Sequence, residues 1–164
     1  APEDGKAAAW ITHFWAASPA EEDLMEALGR GRVYASDPTA FLGTMDLEGP
    51  VGTCMGDVVV TDGRPVRIAA RVTGLEPGDL VAWLANGHLV YAGVADGTEY
   101  RGSWTTPPHV DRLYAVRLQV HRPSAWHTPY GGLIAFSNPL YVTNGLPKHG
   151  ARRRIVRAVG EGAE

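Results

Sequence analysis

Six histidines are the first candidates for metal binding or acid–base chemistry, at positions 13, 88, 109, 121, 127 and 149. None of them stands in a His-x-His or His-Glu-x-x-His motif, the spacings that place two imidazoles on one metal ion. His121 and His127 could share a surface metal with Asp111 across a hairpin, but loop histidines beside Trp and Pro more often pack or contact solvent. The sequence therefore predicts no metal ligands and no bound cofactor in this chain.

Nucleophilic catalysis finds no better support in the sequence. None of the serines lies in a Gly-x-Ser-x-Gly elbow. Cys54 is the only cysteine, so it can form neither an intrachain disulfide nor a thiolate cage for a metal. No histidine adjoins it to act as a base, which favours a buried or idle thiol. We therefore assign no catalytic residue.

Two groups of aromatic side chains remain as candidates for binding. Trp126, His127 and Tyr130 lie in a segment rich in Pro and Gly, where exposed rings could stack on a sugar or on a partner protein. The second group comprises four large apolar residues within six positions, more than a loose arm should expose to water: Trp10, Ile11, Phe14 and Trp15. These four need a partner surface, which is either the domain that follows or an upstream domain.

Composition and charge limit the classes of partner. The chain has 164 residues and a net charge of -3, which gives no electrostatic reason to expect nucleic acid or an anionic membrane as a partner. No apolar run is long enough to span a bilayer, and no signal peptide is visible, so the compartment stays unknown. Basic residues cluster in segment 146–164, which we expect to be a flexible tail.

One short helix is expected near the N-terminus. Ser18 and Glu21 have the spacing of a capping box, and Pro19 would stand at the first helical position. Leu24, Met25 and Leu28 would form an apolar stripe, and Gly29 or Gly31 would end the helix. The pattern predicts a helix from about 19 to 29.

From Arg32 onward the hydrophobic period is two, which predicts strands. The clearest strand is 65–73, with Val66, Ile68, Ala70 and Val72 on its buried face. A second strand covers 110–121, and segment 80–85 is apolar on both faces and so should be central. Short strands without intervening helices favour an all-β fold, an immunoglobulin-like antiparallel β-sandwich. An up-and-down barrel is the alternative.

Three turn pairs predict hairpins between consecutive strands. Asn86-Gly87, Asp62-Gly63 and Asp96-Gly97 all tolerate the positive φ angles of a two-residue β-turn. We therefore expect the strands on either side of each pair to be neighbours in one sheet.

Segment 18–37, SPAEEDLMEALGRGRVYASD, followed by Phe41-Leu42 and closed by segment 135–142, AFSNPLYV, resembles the C-terminal part of PHP-domain (polymerase and histidinol phosphatase) metallohydrolases. In the branch that it resembles, a metal-binding barrel is followed by a small β-sandwich. The resemblance covers about residues 10 to 143. It implies a metal-dependent hydrolase, usually a phosphoesterase, whose divalent-metal ligands lie in a barrel upstream of this chain.

The resemblance carries no catalytic residue into this chain, because the matched region lacks the barrel. It implies three parts: an N-terminal linker and helix at 1–31 that is the tail of the missing domain, a β-sandwich at 32–145, and the basic tail. We expect a non-catalytic accessory domain whose partner is the upstream catalytic domain of the same polypeptide. The isolated fragment could self-associate through its aromatic residues. The alternative is a free-standing glycan- or protein-binding module.

Overall fold

The structure, a computed structural model, describes residues 10–108, 113–125, 131–145 and 154–158. The elements in chain order are β1 (Ile11–Phe14), α1 (Glu21–Arg30), β2 (Val33–Ser36), β3 (Met45–Glu48), β4 (Val58–Val60), β5 (Arg67–Thr73), β6 (Leu80–Ala85), β7 (His88–Val94), β8 (Glu99–Thr105), β9 (Leu113–His121), β10 (Leu133–Ser137), β11 (Leu140–Thr143) and β12 (Ile155–Arg157).

These strands form two sheets. The smaller sheet has the order β3-β5-β8 and is antiparallel throughout. In the larger sheet the long strand β9 is central: it pairs with β6 on one side and with β10 and β11 on the other. Beyond β10 lie β2 and β1, and beyond β11 lie β4 and β12, the latter two joined by parallel pairing.

The hydrophobic core lies between the sheets. The four alternating residues predicted to be buried are so, with Val66 just before β5 and Ile68, Ala70 and Val72 on it. Ile68 and Val72 are fully enclosed. Val116, Leu118 and Val120 of β9 face them from the larger sheet and are also fully buried. Packing of two inner faces over one core is the arrangement of a sandwich. The predicted all-β, immunoglobulin-like sandwich is therefore confirmed, and the sheets do not close into a barrel.

Segment 80–85 is central, as predicted. It forms β6, which pairs with both β7 and β9. Trp83 is fully buried, and its indole N–H donates a hydrogen bond of 3.1 Å to the hydroxyl of Tyr100 in the opposite sheet. The bond satisfies the one polar group of a large buried side chain.

One of the three predicted hairpins is confirmed. Asn86 and Gly87 have φ angles of 52° and 84° and join the paired strands β6 and β7. The other two predictions are wrong, because Asp62-Gly63 leads from β4 to β5 and Asp96-Gly97 from β7 to β8, and in both cases the two strands lie in different sheets. A sandwich with a covered core needs such crossings, which turn residues alone do not distinguish from hairpins.

The helix differs from its prediction at the N-terminus. It begins at Glu21 rather than 19, and its N-cap is Ala20 without a side-chain cap. Ser18 instead accepts a hydrogen bond from the Ala20 main-chain N–H and donates one to Asp23. The C-terminus is as predicted, with Gly31 left-handed at φ 76°. At ten residues α1 is too short to cross a bilayer, and no helix in the described ranges meets that requirement.

Two segments expected outside the sandwich contribute strands to it. β1 precedes the predicted boundary at residue 31 and pairs with β2 along its full length. In the tail expected to be flexible, β12 pairs with β4, fixed by the hydrogen bonds Val58 N–H to Arg154 O (2.8 Å) and Ala158 N–H to Val60 O (3.0 Å). Both strands lie at sheet edges, where unpaired backbone groups accept an added strand.

Candidate functional site

Large apolar side chains are exposed on the first elements of the fold. Ile11 and Phe14 of β1 are 38% and 39% exposed, Trp15 just after it 42%, and Met25 and Leu28 of α1 59% and 47%. We call these five residues the N-terminal surface, within which Ile11 and Phe14 lie on opposite faces of β1 because side chains alternate along a strand. The apolar stripe predicted for α1 thus faces outward in part, and the helix buries only the small side chain of Ala27. Several exposed apolar residues on one short stretch are typical of an interaction site.

The N-terminal surface is held in place by specific contacts. The Trp15 main-chain N–H donates to the Arg32 carbonyl oxygen, and its indole N–H to that of Met45, both at 2.9 Å. The His13 ring stacks on the Tyr34 ring at 4.3 Å, and its Nε2 lies 2.9 Å from the hydroxyl of Ser36. Burial lowers the pKa of His13, which favours the neutral ring in this stack.

Charged side chains border the apolar part of α1. A surface hollow of about 470 Å³ is lined by Glu22, Met25, Glu26, Gly29 and Arg30. Arg30 and Glu26 form an ion pair of 2.6 Å across one helical turn. The hollow thus combines the apolar side chain of Met25 with the charges of Glu22, Glu26 and Arg30, and contacts between protein surfaces also combine apolar and polar groups.

A smaller cavity of about 130 Å³ lies under Trp15, lined also by Arg32, Asp46, Cys54 and Met55. Burial is the main cause that raises the pKa of the Asp46 carboxyl, with the nearby Glu48 charge adding to it. The Nε of Arg32 is buried and has no hydrogen-bond partner among the described residues.

Cys54 is not an activated nucleophile. Burial, followed by the charge of Asp57, raises the pKa of its thiol to about 11. Asp57 is fully buried and accepts a hydrogen bond of 2.9 Å from the Cys54 main-chain N–H, while Arg154 lies 4.0 Å away. A thiol with so high a pKa is almost entirely protonated near neutral pH, and the thiolate is the reactive form.

The outer face of the smaller sheet carries a broad depression of about 600 Å³ between charged side chains. Arg71 and Arg101 are cross-strand neighbours, and the Nε of each lies 2.7 Å from the same oxygen of Glu99. Both arginine side chains are more than half exposed. Exposed ion pairs of this kind contribute little to stability, and we interpret this face as the solvated side of the sandwich.

The structure places the predicted binding residues as follows. Ile11, Phe14 and Trp15 are exposed on the N-terminal surface, whereas Trp10 is half-buried and packs on Phe136 with ring centroids 5.2 Å apart. The predicted ligand surface, Trp126, His127 and Tyr130, lies outside the described residues.

The surface metal site weighed from the sequence falls partly outside the described ranges, since they include neither Asp111 nor His127. His121 is described, and its Nε2 lies 3.2 Å from the side-chain oxygen of Gln119. In the part of the chain that the structure describes, no three His, Cys, Asp or Glu side chains come together as a metal site would require.

The cavity at Arg32 could not be predicted from the sequence. In the sequence, Arg32 is only the first residue of an alternating strand. Asp46, Cys54 and Met55 belong to other segments, which the fold brings next to it. The spacing of Trp15 and Arg32 carries no signal either, because a helix of ten residues separates them.

Fold and surface together define an immunoglobulin-like β-sandwich domain with an N-terminal strand and helix. Comparison with protein-family models finds no match, and comparison with curated proteins finds none. Two solved structures similar to this chain are of the CARDB domain of PF1109 from Pyrococcus furiosus, each 17% identical to it. The solution NMR structure covers 63% of this chain and 95% of its own, with a TM-score of 0.42. The crystal structure, in complex with di-metal ions, covers 62% and 93%, with a TM-score of 0.40.

Proposed function

We propose that this chain is a non-catalytic accessory β-sandwich domain that packs against an upstream domain of the same polypeptide through its N-terminal surface. The observation that carries the proposal is the exposure of Phe14, Trp15, Met25 and Leu28 on consecutive elements, with Trp15 anchored by its hydrogen bond to Met45. Docking removes such side chains from water, and each Å² of apolar area removed contributes a favourable free energy of about 25 cal/mol.

The parent protein that we propose is a PHP-type metal-dependent hydrolase, on the resemblance of segments 18–37 and 135–142. In the fold these two segments are neighbours, since β2 pairs with β10 and the Asn138 side-chain N–H donates a hydrogen bond of 3.1 Å to the Gly31 carbonyl oxygen. The resemblance therefore falls on one structural unit rather than on scattered surface. This unit includes α1, which carries half of the proposed contact.

In such a parent the divalent metal and its ligands belong to the upstream domain, and the sandwich braces that domain or shapes the mouth of its active site. The residues of this chain would supply apolar contacts from α1 and β1, bordered by the charges of Glu22, Glu26 and Arg30. The polar rim would set the orientation of the two domains, and the apolar centre would supply the affinity.

The experiment is a parallel assay of the full-length protein and of chain 1–164 on p-nitrophenyl phosphate, with and without added divalent metal. We expect metal-dependent turnover by the full-length protein and none by chain 1–164. Turnover by chain 1–164, abolished by a point mutation within it, would overturn the accessory role. A full-length protein without any metal-dependent hydrolysis would overturn the PHP-type parent.

A further inference from the structure

Strand β7 forms an open edge of the larger sheet. It pairs with β6 on one side, and no strand within the described ranges pairs with its other side. Because hydrogen-bonded pairs alternate along an antiparallel ladder, about every second residue of β7 directs its main-chain N–H and C=O away from β6. Such outward groups are a template for a further strand.

The side chains of β7 are exposed and apolar. Leu89 and Val94 are each 65% exposed, and Val90 and Tyr91 are more than a third exposed. The strand reads HLVYAGV and contains no Asp, Glu, Lys, Arg or Pro, the residues that commonly protect an open edge from pairing. Exposed apolar side chains gathered on such an edge are typical of an interaction site.

The other strands at the edges of the two sheets are short or charged. β1 and β12 have four and three residues, and β12 also carries Arg157. In the smaller sheet, β3 carries Asp46 and Glu48, and β8 carries Glu99 and Arg101. Within the described ranges, β7 is therefore the one edge strand of seven residues without a charge.

Contacts on the inner side of the sheet order β7 before any partner arrives. The strand pairs with β6 from His88 to Val94. A side chain larger than glycine at Gly93 would collide with the ring of Tyr100, so the two strands from opposite sheets lie in close contact there. An edge that is already ordered lowers the entropy cost of association.

We propose that two copies of this chain associate by pairing β7 with β7 in antiparallel orientation, so that their larger sheets join across a two-fold axis. Each copy fills the open edge of the other, and the contact uses the same patch on both, so the assembly closes as a dimer. Main-chain hydrogen bonds hold the strands together, as they do when a protein adds an extended segment to a sheet edge.

The absence of charge on β7 is the reason for choosing a second copy as the partner. Two identical strands that pair about a two-fold axis bring like residues near one another, and like charges placed opposite each other are destabilising. Self-pairing of β3 would bring carboxylates together, whereas self-pairing of β7 brings together apolar side chains such as Tyr91. His88 begins the strand, so antiparallel pairing places the two copies of it at opposite ends of the shared ladder.

The test is analytical ultracentrifugation of chain 1–164 over a hundredfold range of protein concentration. We expect a reversible monomer–dimer equilibrium. The variant Leu89→Lys/Val94→Lys places charges on the edge and should raise the dissociation constant of the dimer at least tenfold. Its control, Met25→Lys/Leu28→Lys, adds the same charges at exposed residues of α1 and should leave the dissociation constant unchanged. Circular dichroism checks that both variants fold.

Hydrogen exchange of the unmodified chain gives a second measurement that needs no variant. At high protein concentration we expect slower exchange of the outward amides of β7 and unchanged exchange in β1, the edge strand at the far side of the same sheet. A chain that stays monomeric at every concentration would overturn the proposal and leave the edge to a strand of a different protein. Self-association that the control weakens and Leu89→Lys/Val94→Lys does not would also overturn it. The N-terminal surface lies on other elements, so the docking proposal and this one can fail separately.

Discussion

The indole N–H of Trp15 donates a hydrogen bond of 2.9 Å to the main-chain oxygen of Met45. Trp15 follows the edge strand β1 of the larger sheet, and Met45 begins β3 in the smaller sheet. The bond therefore ties the N-terminal segment to the second layer of the sandwich. The bond orders the Trp15 side chain before any docking, which lowers the entropy cost of docking through it.

Replacing Trp15 by Phe removes this bond while keeping an aromatic ring. We expect the free energy of unfolding, measured by urea denaturation, to fall by about 1 kcal/mol. Phe14→Leu is the control, because Phe14 is equally exposed and donates no hydrogen bond, and it should change stability by less than about 0.5 kcal/mol. Equal stability of Trp15→Phe and the unmodified chain would show that the bond does not anchor the segment.

A second prediction concerns the buried ion pair of Arg122 and Asp79. The guanidinium donates to both carboxylate oxygens, at 3.0 and 2.8 Å, and the Asp79 side chain is only 2% exposed. Arg122→Met leaves that carboxylate buried without its partner, so we expect a loss of about 3–5 kcal/mol in the free energy of unfolding. The exposed pair of Arg64 and Asp62 gives the comparison, where Arg64→Met should cost less than about 1 kcal/mol.

The double variant Arg122→Met/Asp79→Asn separates the ion pair from other effects. The amide removes the unpaired charge and can still accept the hydrogen bond that Asp79 receives from the Glu76 main-chain N–H at 2.8 Å. We expect the double variant to be more stable than the sum of the two single losses implies. If the loss in the double variant equals the sum of the two single losses, Arg122 and Asp79 do not pair directly.

The β6–β7 turn gives a third prediction, because two predicted turns differ in backbone conformation. Gly87 has a φ of 84°, whereas Gly97 is not among the glycines with positive φ, and both have open space around the position of a Cβ. Gly87→Ala should therefore cost about 1 kcal/mol through backbone strain, and Gly97→Ala should cost less than about 0.5 kcal/mol or stabilise the fold slightly. Thermal unfolding of both variants measures the difference, and equal costs would count against the assigned turn.

The fourth prediction concerns the pH dependence of Cys54. With a pKa of about 11, the folded thiol at pH 8 should react with iodoacetamide about two orders of magnitude more slowly than an ordinary cysteine. The unfolded chain in urea is the control and should react at the ordinary rate. The unfolded chain loses this proton near the ordinary value of 9.0 and the folded chain only near about 11. The contribution of the thiol to stability therefore falls as the pH rises through that window. Equal rates in the folded and unfolded chains at pH 8 would contradict the raised pKa.

Local patterns predicted the parts of the fold whose structure is decided locally. The alternation of Val66, Ile68, Ala70 and Val72 predicted a half-buried strand, and Asn86-Gly87 predicted the hairpin between β6 and β7. Both signals are local, because hydrophobic periodicity and positive φ depend on a few neighbouring residues. Gly31 likewise marked the end of the helix.

Features that depend on distant segments could not be predicted from local sequence patterns. The crossings at Asp62-Gly63 and Asp96-Gly97 depend on which sheet receives the next strand, and β1 and β12 depend on the edges that β2 and β4 leave open. The cavity at Arg32 is lined by four separate segments, so no local pattern in any one of them could predict it. The exposed side of α1 was not predicted for a similar reason. The apolar stripe of Leu24, Met25 and Leu28 suggested that the helix buries these side chains, whereas Ala27 is the one buried residue of the helix.

The N-terminal surface is tested most directly by the affinity of chain 1–164 for the polypeptide encoded immediately upstream in its reading frame, measured by isothermal titration calorimetry. The variant is Met25→Glu/Leu28→Glu, which places charges on the exposed side of α1. The control is Leu42→Glu at an 82% exposed leucine outside that surface. We predict binding that the double variant weakens at least tenfold, about 1.4 kcal/mol, and that Leu42→Glu leaves unchanged. Absence of binding, or equal affinity of the double variant and the control, would contradict the account.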